Sequence, residues 1–273
     1  MRALMGGMAA CLCLFSGTAA AHFNMLLPQT ASGKKGEAVT IIYQWGHPFE
    51  HQLFDAPQPQ SLIVLCPDGK RVELTDKLKK TSRKAGSNEV TAYELRFTPP
   101  ERGDYVFVMR TPPIWMEEDG EFLQDTVKSV LHVQAQKGWD AAAGDFELVP
   151  LTRPYGLRAG MVFQAEAAIR PPAGGTGVSP VQPKPGGTSV SPVSSLVEIE
   201  RYNNDPPKTL PPDEHITRTV RLDRNGVATT TLNEPGWWCM TVSRPQGTRM
   251  RDGKSYPLRQ RATLWVFVDE PAG

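Results

Sequence analysis

The feature that most limits what this chain can become is a rhythm of short runs in which apolar and polar residues alternate, cut repeatedly by Pro, Gly and Asp. A period of two lines one face of a β-strand, and apolar positions at helical spacing are scarce. "AVTIIYQW" (38–45), "VTAYELRFTP" (90–99), "GDYVFVMR" (103–110) and "SVLHVQAQ" (129–136) read as strands. In "SLIVLCPDGKRVEL" (61–74), Pro67-Asp68-Gly69-Lys70 supplies turn chemistry between two more. Strands at this spacing predict a β-sandwich.

A second set follows "WDAAAGDFELVPLTRPYGLRAG": "MVFQAEAAIR" (161–170), "SLVEIERYN" (195–203), "TRTVRLDRNGVATTTL" (217–232), "GWWCMTVSR" (236–244) and "RATLWVFVD" (261–269). Asn225-Gly226 predicts a hairpin between the runs on either side, because both residues tolerate positive φ. The expected fold class is all-β: two β-sandwich domains, immunoglobulin-like or prealbumin-like, in tandem after a signal peptide. Residues 22–148 form the first and 149–273 the second, with the boundary in the Pro-containing segment before Tyr155. A low-complexity insertion at 171–194 carries an imperfect repeat, "GGTGVSPV" and "GGTSVSPV". It has little to bury and is expected to be a loop; two copies are too few for a solenoid.

The first 21 residues read as an export signal. Met1-Arg2 precedes a small, apolar run that ends in Ala19-Ala20-Ala21, which satisfies the A-x-A rule for signal peptidase. The stretch falls short of the roughly 20 consecutive apolar residues of a membrane span, and no later segment is a candidate. A periplasmic or secreted location follows, an uncleaved anchor being the competing reading. Cleavage after Ala21 removes Arg2 and no acid, leaving 29 basic and 29 acidic side chains and a formal charge of zero. That argues against a nucleic-acid partner, which needs clustered Lys and Arg. Cys11 and Cys13 leave with the signal, so only Cys66 and Cys239 of the four cysteines remain. No disulfide framework is expected, and the two are read as buried and unpaired rather than bridged.

Three of the five histidines, His22, His47 and His51, fall in the first thirty residues after that cut. "WGHPFEHQLFD" (45–55) places His47, Glu50, His51 and Asp55 just beyond a strand. Imidazole suits zinc, copper, nickel and cobalt, and carboxylates can complete the shell. Cleavage would give His22 a free α-amine beside its ring, and the amine's ordinary pKa of roughly 7.7–8.0 lets it deprotonate toward a metal near neutral pH. With one imidazole from the loop this makes three nitrogen donors, a histidine brace. The competing reading is a surface-loop histidine pair and an N-terminal histidine that merely starts a strand. His132, inside a strand, and His215, in a turn, are read as structural.

"TPPIWMEEDGEFLQDTVKSV" (111–130) concentrates acid at Glu117, Glu118, Asp119, Glu121 and Asp125. It is either a loop reaching the rim of the histidine segment or a solvated acidic face. Trp237-Trp238 offers a sugar-stacking platform if alternation turns one ring outward. No nucleophile elbow or phosphate-cradling Gly-rich loop is present.

The order "HFNMLLP", "GHPFE", "GDYVFVMRTPPIW", "KGWDAAAGDFELVPLTRPYGLRAGMVF", "VEIERYN", "DRNGVATTTLNEPGWW" and "ATLWVFV" resembles a family of exported bacterial proteins of unknown function commonly labelled the periplasmic component of a cobalt or nickel uptake system. The resemblance implies a two-sandwich periplasmic protein linked to transition-metal handling, with nickel or cobalt as cargo, copper as an alternative, and an inner-membrane uptake transporter as partner. It supports His22 as the mature N-terminus and His47 within "GHP". It also points to the acidic loop, where the family has a glutamate after the tryptophan and a histidine before a threonine-lysine pair. This chain has Met116 and Asp125 in those places, and Asp125 can ligate only through oxygen. The expected metal ligands are His22 and His47, with Glu50, His51 and Asp125 as secondary candidates. A binding protein with no reaction is the expectation. The alternatives are a copper-dependent histidine-brace oxidase on the same residues, and a metal-free envelope module binding glycan or protein.

Overall fold

Strands form where alternation and turn residues place them, and they account for nearly all of the secondary structure. The structure, a computed structural model, describes residues 22–169 and 193–270. Residues 1–21, read above as an expected export signal, and all of the expected insertion except Val193 and Ser194 lie outside the described residues. In chain order the first half supplies β1 (Phe23–Pro28), β2 (Ser32–Gly33), β3 (Val39–His47), β4 (Gln52–Phe54), β5 (Ser61–Leu65), β6 (Arg71–Glu73), β7 (Lys79–Ala85), β8 (Asn88–Phe97), β9 (Gly103–Arg110), β10 (Ile114–Met116) and β11 (Glu121–Val133). The second supplies β12 (Phe146–Pro150), β13 (Leu157–Arg158), β14 (Met161–Ile169), β15 (Leu196–Arg201), the short helix α1 (Asp213–Ile216), β16 (Arg218–Arg221), β17 (Val227–Leu232), β18 (Gly236–Arg251) and β19 (Lys254–Asp269).

Three sheets result. The first follows the order β1-β3-β8-β7 with β4 on β3, the central one β16-β15-β18-β19-β11-β9-β5-β6, and the third β12-β14-β17. The two halves of the chain meet inside the central sheet, where β11 and β19 run parallel from Phe122↔Leu258 to Ser129↔Trp265. Alternate residues of β18 and β19 face opposite ways, and both faces are covered. Trp237, Cys239 and Trp265 belong to the core shared with the first sheet, around Phe23 and Tyr43. Trp238, Met240, Leu264 and Val266 belong to the core shared with the third, around Phe146 and Phe163. The architecture is an all-β sandwich fold in which two cores share one sheet. Burial on both faces is also why "ATLWVFV" reads as an almost unbroken apolar run.

The same double burial overturns the tryptophan platform. Trp237 and Trp238 do point to opposite faces, but both are buried, at 8% and 4% exposure, and Arg218 lies over the Trp238 ring at 4.6 Å. The Asn225-Gly226 hairpin is also corrected. A tight turn is present, with Gly226 N–H donating to Asp223 O and the Asp223 carboxylate accepting from Asn225 and Val227 N–H. However, β16 pairs with β15 and β17 with β14, so the turn carries the chain between layers. Local turn chemistry reverses the chain without choosing its new neighbour.

A longer hairpin went unread. β18 and β19 pair as far as Arg251↔Lys254, closed by Asp252-Gly253 with φ of 50° and 75°, the positive-φ signature of a type I′ turn. Pro245 and Pro257 interrupt the pattern there, and a register shift between Pro245 and Thr248 absorbs the irregularity. Cys66 and Cys239 are unpaired, the second fully buried. Among the described residues no helix is long and apolar enough to cross a membrane.

Because β19 supplies both a sheet neighbour and Trp265 to the first core, residues 22–148 alone would expose the β11 edge and lose part of that core. The isolated segment is expected to show no cooperative urea transition and to aggregate. A sharp, reversible transition would contradict the shared-sheet account.

Candidate metal centre

β1 and β3 are antiparallel with Phe23 opposite Gly46, so the next position along brings His22 opposite His47. Directly opposed side chains on one face sit about 4.5–5.5 Å apart at Cβ. The rings of His22 and His47 meet edge to face, with centroids 4.6 Å apart and planes at 85°. Phe54 lies 5.2 Å from the His22 ring and 5.6 Å from that of His47, and Trp45 lies 5.5 Å from His22. The pair is thus walled by aromatic rings.

Gly46 makes this arrangement possible. It pairs with both Phe23 and Leu53, its φ is +152°, and a Cβ there would come within 2.0 Å of the Gln52 carbonyl oxygen. The β3–β4 turn then closes over Pro48–His51. Glu200 on β15 pins it by accepting from Phe49 N–H at 3.0 Å, and Asn203 N–H donates to Pro48 O at 3.0 Å.

His47 Nδ1 lies 2.8 Å from Glu50 Oε2. An ionised carboxylate only accepts, so Nδ1 carries a proton, and in the neutral ring this leaves the lone pair on Nε2. That Nε2 is buried and has no hydrogen-bond partner. An orphaned acceptor whose ring is held through its other nitrogen by a carboxylate is how metal-ligating histidines are commonly oriented. The spacing of the two rings also fits. Metal–nitrogen bonds of about 2.0–2.1 Å put the centroids of two imidazoles on one ion about 4.5 Å apart when the bonds are perpendicular, and about 6.3 Å when they are opposed. The observed separation matches the first.

Two secondary candidates take other roles. Glu50 supports His47 instead of standing in the first row of donors. Asp125 is the clear correction. It is fully buried, and its two oxygens accept from Arg261 Nε and Nη2, each at 2.7 Å, with Asn24 Nδ2 also donating at 2.7 Å. Three of its roughly four lone-pair sites are taken and its charge is matched by a buried bidentate guanidinium, so ligating a metal would mean giving up Arg261. His51 sits at φ 51° with its ring edge-on to Tyr202 at 5.7 Å. Its Nδ1 is buried without a partner, and burial lowers its pKa. Glu117, Glu118 and Asp119 are exposed. His132 bonds Asp104 at 2.7 Å and stacks on Tyr155 at 4.2 Å. Among the described residues no group of three His, Cys, Asp or Glu side chains is placed to hold a metal; two imidazoles are the side-chain donors here.

The residues that aim His22 were not foreseen. Arg261 Nη2 donates to the His22 carbonyl at 2.6 Å, Trp265 Nε1 to the Asn24 carbonyl at 3.0 Å, and Tyr43 OH to Asn24 Oδ1 at 2.7 Å. Burial first, then the Asp125 charge, push the Tyr43 phenol well up, keeping it a donor. An arginine inside the apolar run "RQRATLWVFV" was the available signal, since a cation in such a strand needs a buried partner.

A β-sandwich with two facing imidazoles at the start of its first strand is the class of protein these features define. The DUF4198 family, a domain of unknown function, matches residues 19–170, more than half of the chain, and the chain belongs to that family. Comparison with curated proteins finds no match. Among solved structures, a DUF4785 family protein from Legionella pneumophila is 8% identical over 83% of this chain and 53% of its own, with a TM-score of 0.29. This chain therefore spans about half of that protein's length. The two immunoglobulin domains of DIP-gamma are 8% identical over 89% and 97% of the two chains at a TM-score of 0.22. Bovine butyrophilin is 11% identical over 92% and 100% at 0.22. No property is carried over from alignments of this kind.

Glu200 gives the loop a pH dependence. Desolvation raises its pKa from 4.5 to about 7, against the opposing hydrogen bonds from Thr217 and Phe49. Between those values the folded chain holds a proton that the unfolded chain has released. Stability is therefore fullest below pH 4.5 and falls, by up to about 3 kcal/mol, as pH rises through about 7. Glu200→Gln keeps an acceptor for Phe49 and is expected to flatten this slope in urea titrations from pH 5 to 8. An unchanged slope would remove Glu200 as its source.

Proposed function

We propose that the protein is an exported binding protein for a divalent transition metal, nickel or cobalt with copper as the alternative, which presents the ion to an envelope uptake system. One observation carries this reading: the His22 and His47 rings stand 4.6 Å apart while the buried His47 Nε2 has no partner. Cleavage after Ala21 adds the His22 α-amine as a third nitrogen donor. The Arg261 bond to the His22 carbonyl supports this role, since it fixes the backbone of the residue whose amine and ring must act together. The bound ion is cargo, held by imidazoles that Glu50 and Arg261 orient. Membership of DUF4198 is compatible with this activity and specifies none.

The mature chain beginning at His22 should bind nickel, cobalt, copper or zinc in calorimetric titration. Retaining Ala21 should weaken binding at least about tenfold, and Glu50→Ala by about 10- to 100-fold, the usual effect of removing such a support. Affinity indifferent to the extra residue would eliminate the amine as a donor.

A further inference from the structure

His22, one of the aromatic-walled pair, also lines a cleft of about 310 Å³ together with Glu121, Glu198, Thr241, Ser243 and Arg259, among others. Its floor is the central sheet beyond the start of β1. Across neighbouring strands, Glu198 lies opposite Thr241, and Ser243 opposite Arg261. Leu123 lies opposite Arg259. The two guanidiniums of this floor are committed: Arg259 pairs with Glu121 at 2.7 Å, and Arg261 with Asp125. Asp119 and Glu198 are left to give the cleft a negative balance over a strip of hydroxyls.

A bare ion needs no such space. Ligand sites for small organic molecules begin at about 300 Å³, and this cleft, lined by His22, meets that size. The donor set is also short: a tetragonal nitrogen–oxygen site of the kind nickel and copper favour needs more donors than two imidazoles and one amine. Resting on the metal reading above, we infer that the cargo is a metal chelate, in which a small amino-acid-type ligand occupies the cleft and fills the coordination positions the protein leaves open. The charge balance selects the chelate. Neutral or cationic amino-acid complexes suit Asp119 and Glu198, whereas a polycarboxylate complex brings its own negative charge against them.

The test is calorimetry on the mature chain from His22, with Ni(II) alone, Ni(II) with one equivalent of L-histidine, and Ni(II) citrate. The histidine complex is expected to bind at least tenfold more tightly than the bare ion, and citrate to compete the metal away. Glu198→Gln should bring the ratio of complex to bare-ion affinity toward one. Ser243→Leu, which fills the floor without changing a charge, should do the same. Thermal melts confirm that each variant is folded. Bare nickel bound as tightly as its histidine complex, or a ratio unmoved in both variants, overturns the inference and leaves the metal site standing. No binding of any form overturns the metal reading, and this inference with it.

Discussion

Arg261 and Asp125 form a buried, bidentate ion pair between neighbouring strands of the central sheet, and the candidate site hangs from it. Burying two charges is costly, and such a pair adds little net stability over an apolar substitute, yet removing one partner costs about 3–5 kcal/mol because the other is stranded. Its value here is positional. The same guanidinium that satisfies Asp125 reaches the His22 carbonyl, while Asn24 bonds Asp125 and Tyr43 bonds Asn24. β1 is thereby held by side-chain bonds to the central sheet as well as by its ladder with β3. Register follows, and register places His22 across from His47. A slip of one residue would turn every side chain of β1 to the other face.

The shared central sheet explains how a residue near position 260 can organise one near position 20. Strand β19 is a neighbour of β11, contributes Trp265 to the first core and Leu264 to the second, and carries Arg261 at the point where β1 begins. The mouth of the first sandwich is built from both halves of the chain: His22, His47 and Glu50 from one, Glu200 and Arg261 from the other. The cleft beside it is the part of the central sheet that the first sheet does not cover.

The alternation of "AVTIIYQW" and "GDYVFVMR" and the turn at Pro67–Lys70 made the strands, the all-β class and the first hairpin legible. So was the clustering of His22 and His47, because it needed only that the first strand lie antiparallel to the next long one. What escaped depended on partners far away in sequence. Nothing local to Asp125 announces Arg261, so the acid standing where the resemblance has a histidine was expected as a ligand. Nothing in the Asn225-Gly226 turn says that its two strands join different sheets. The Trp237-Trp238 pair was misjudged because alternation tells which way a ring points and not whether a third layer covers it. Gly46 was legible only as a breaker, although the close approach of Gln52 is what demands it.

The most direct check is to load the protein produced with His22 as its first residue with one equivalent of Cu(II) as a spectroscopic probe and count the coordinated imidazoles by pulsed electron spin-echo spectroscopy. Modulation from two imidazoles is expected, falling to one in His47→Ala and in a variant with His22 replaced. Modulation from a single imidazole, or two that survive loss of His47, would contradict the account.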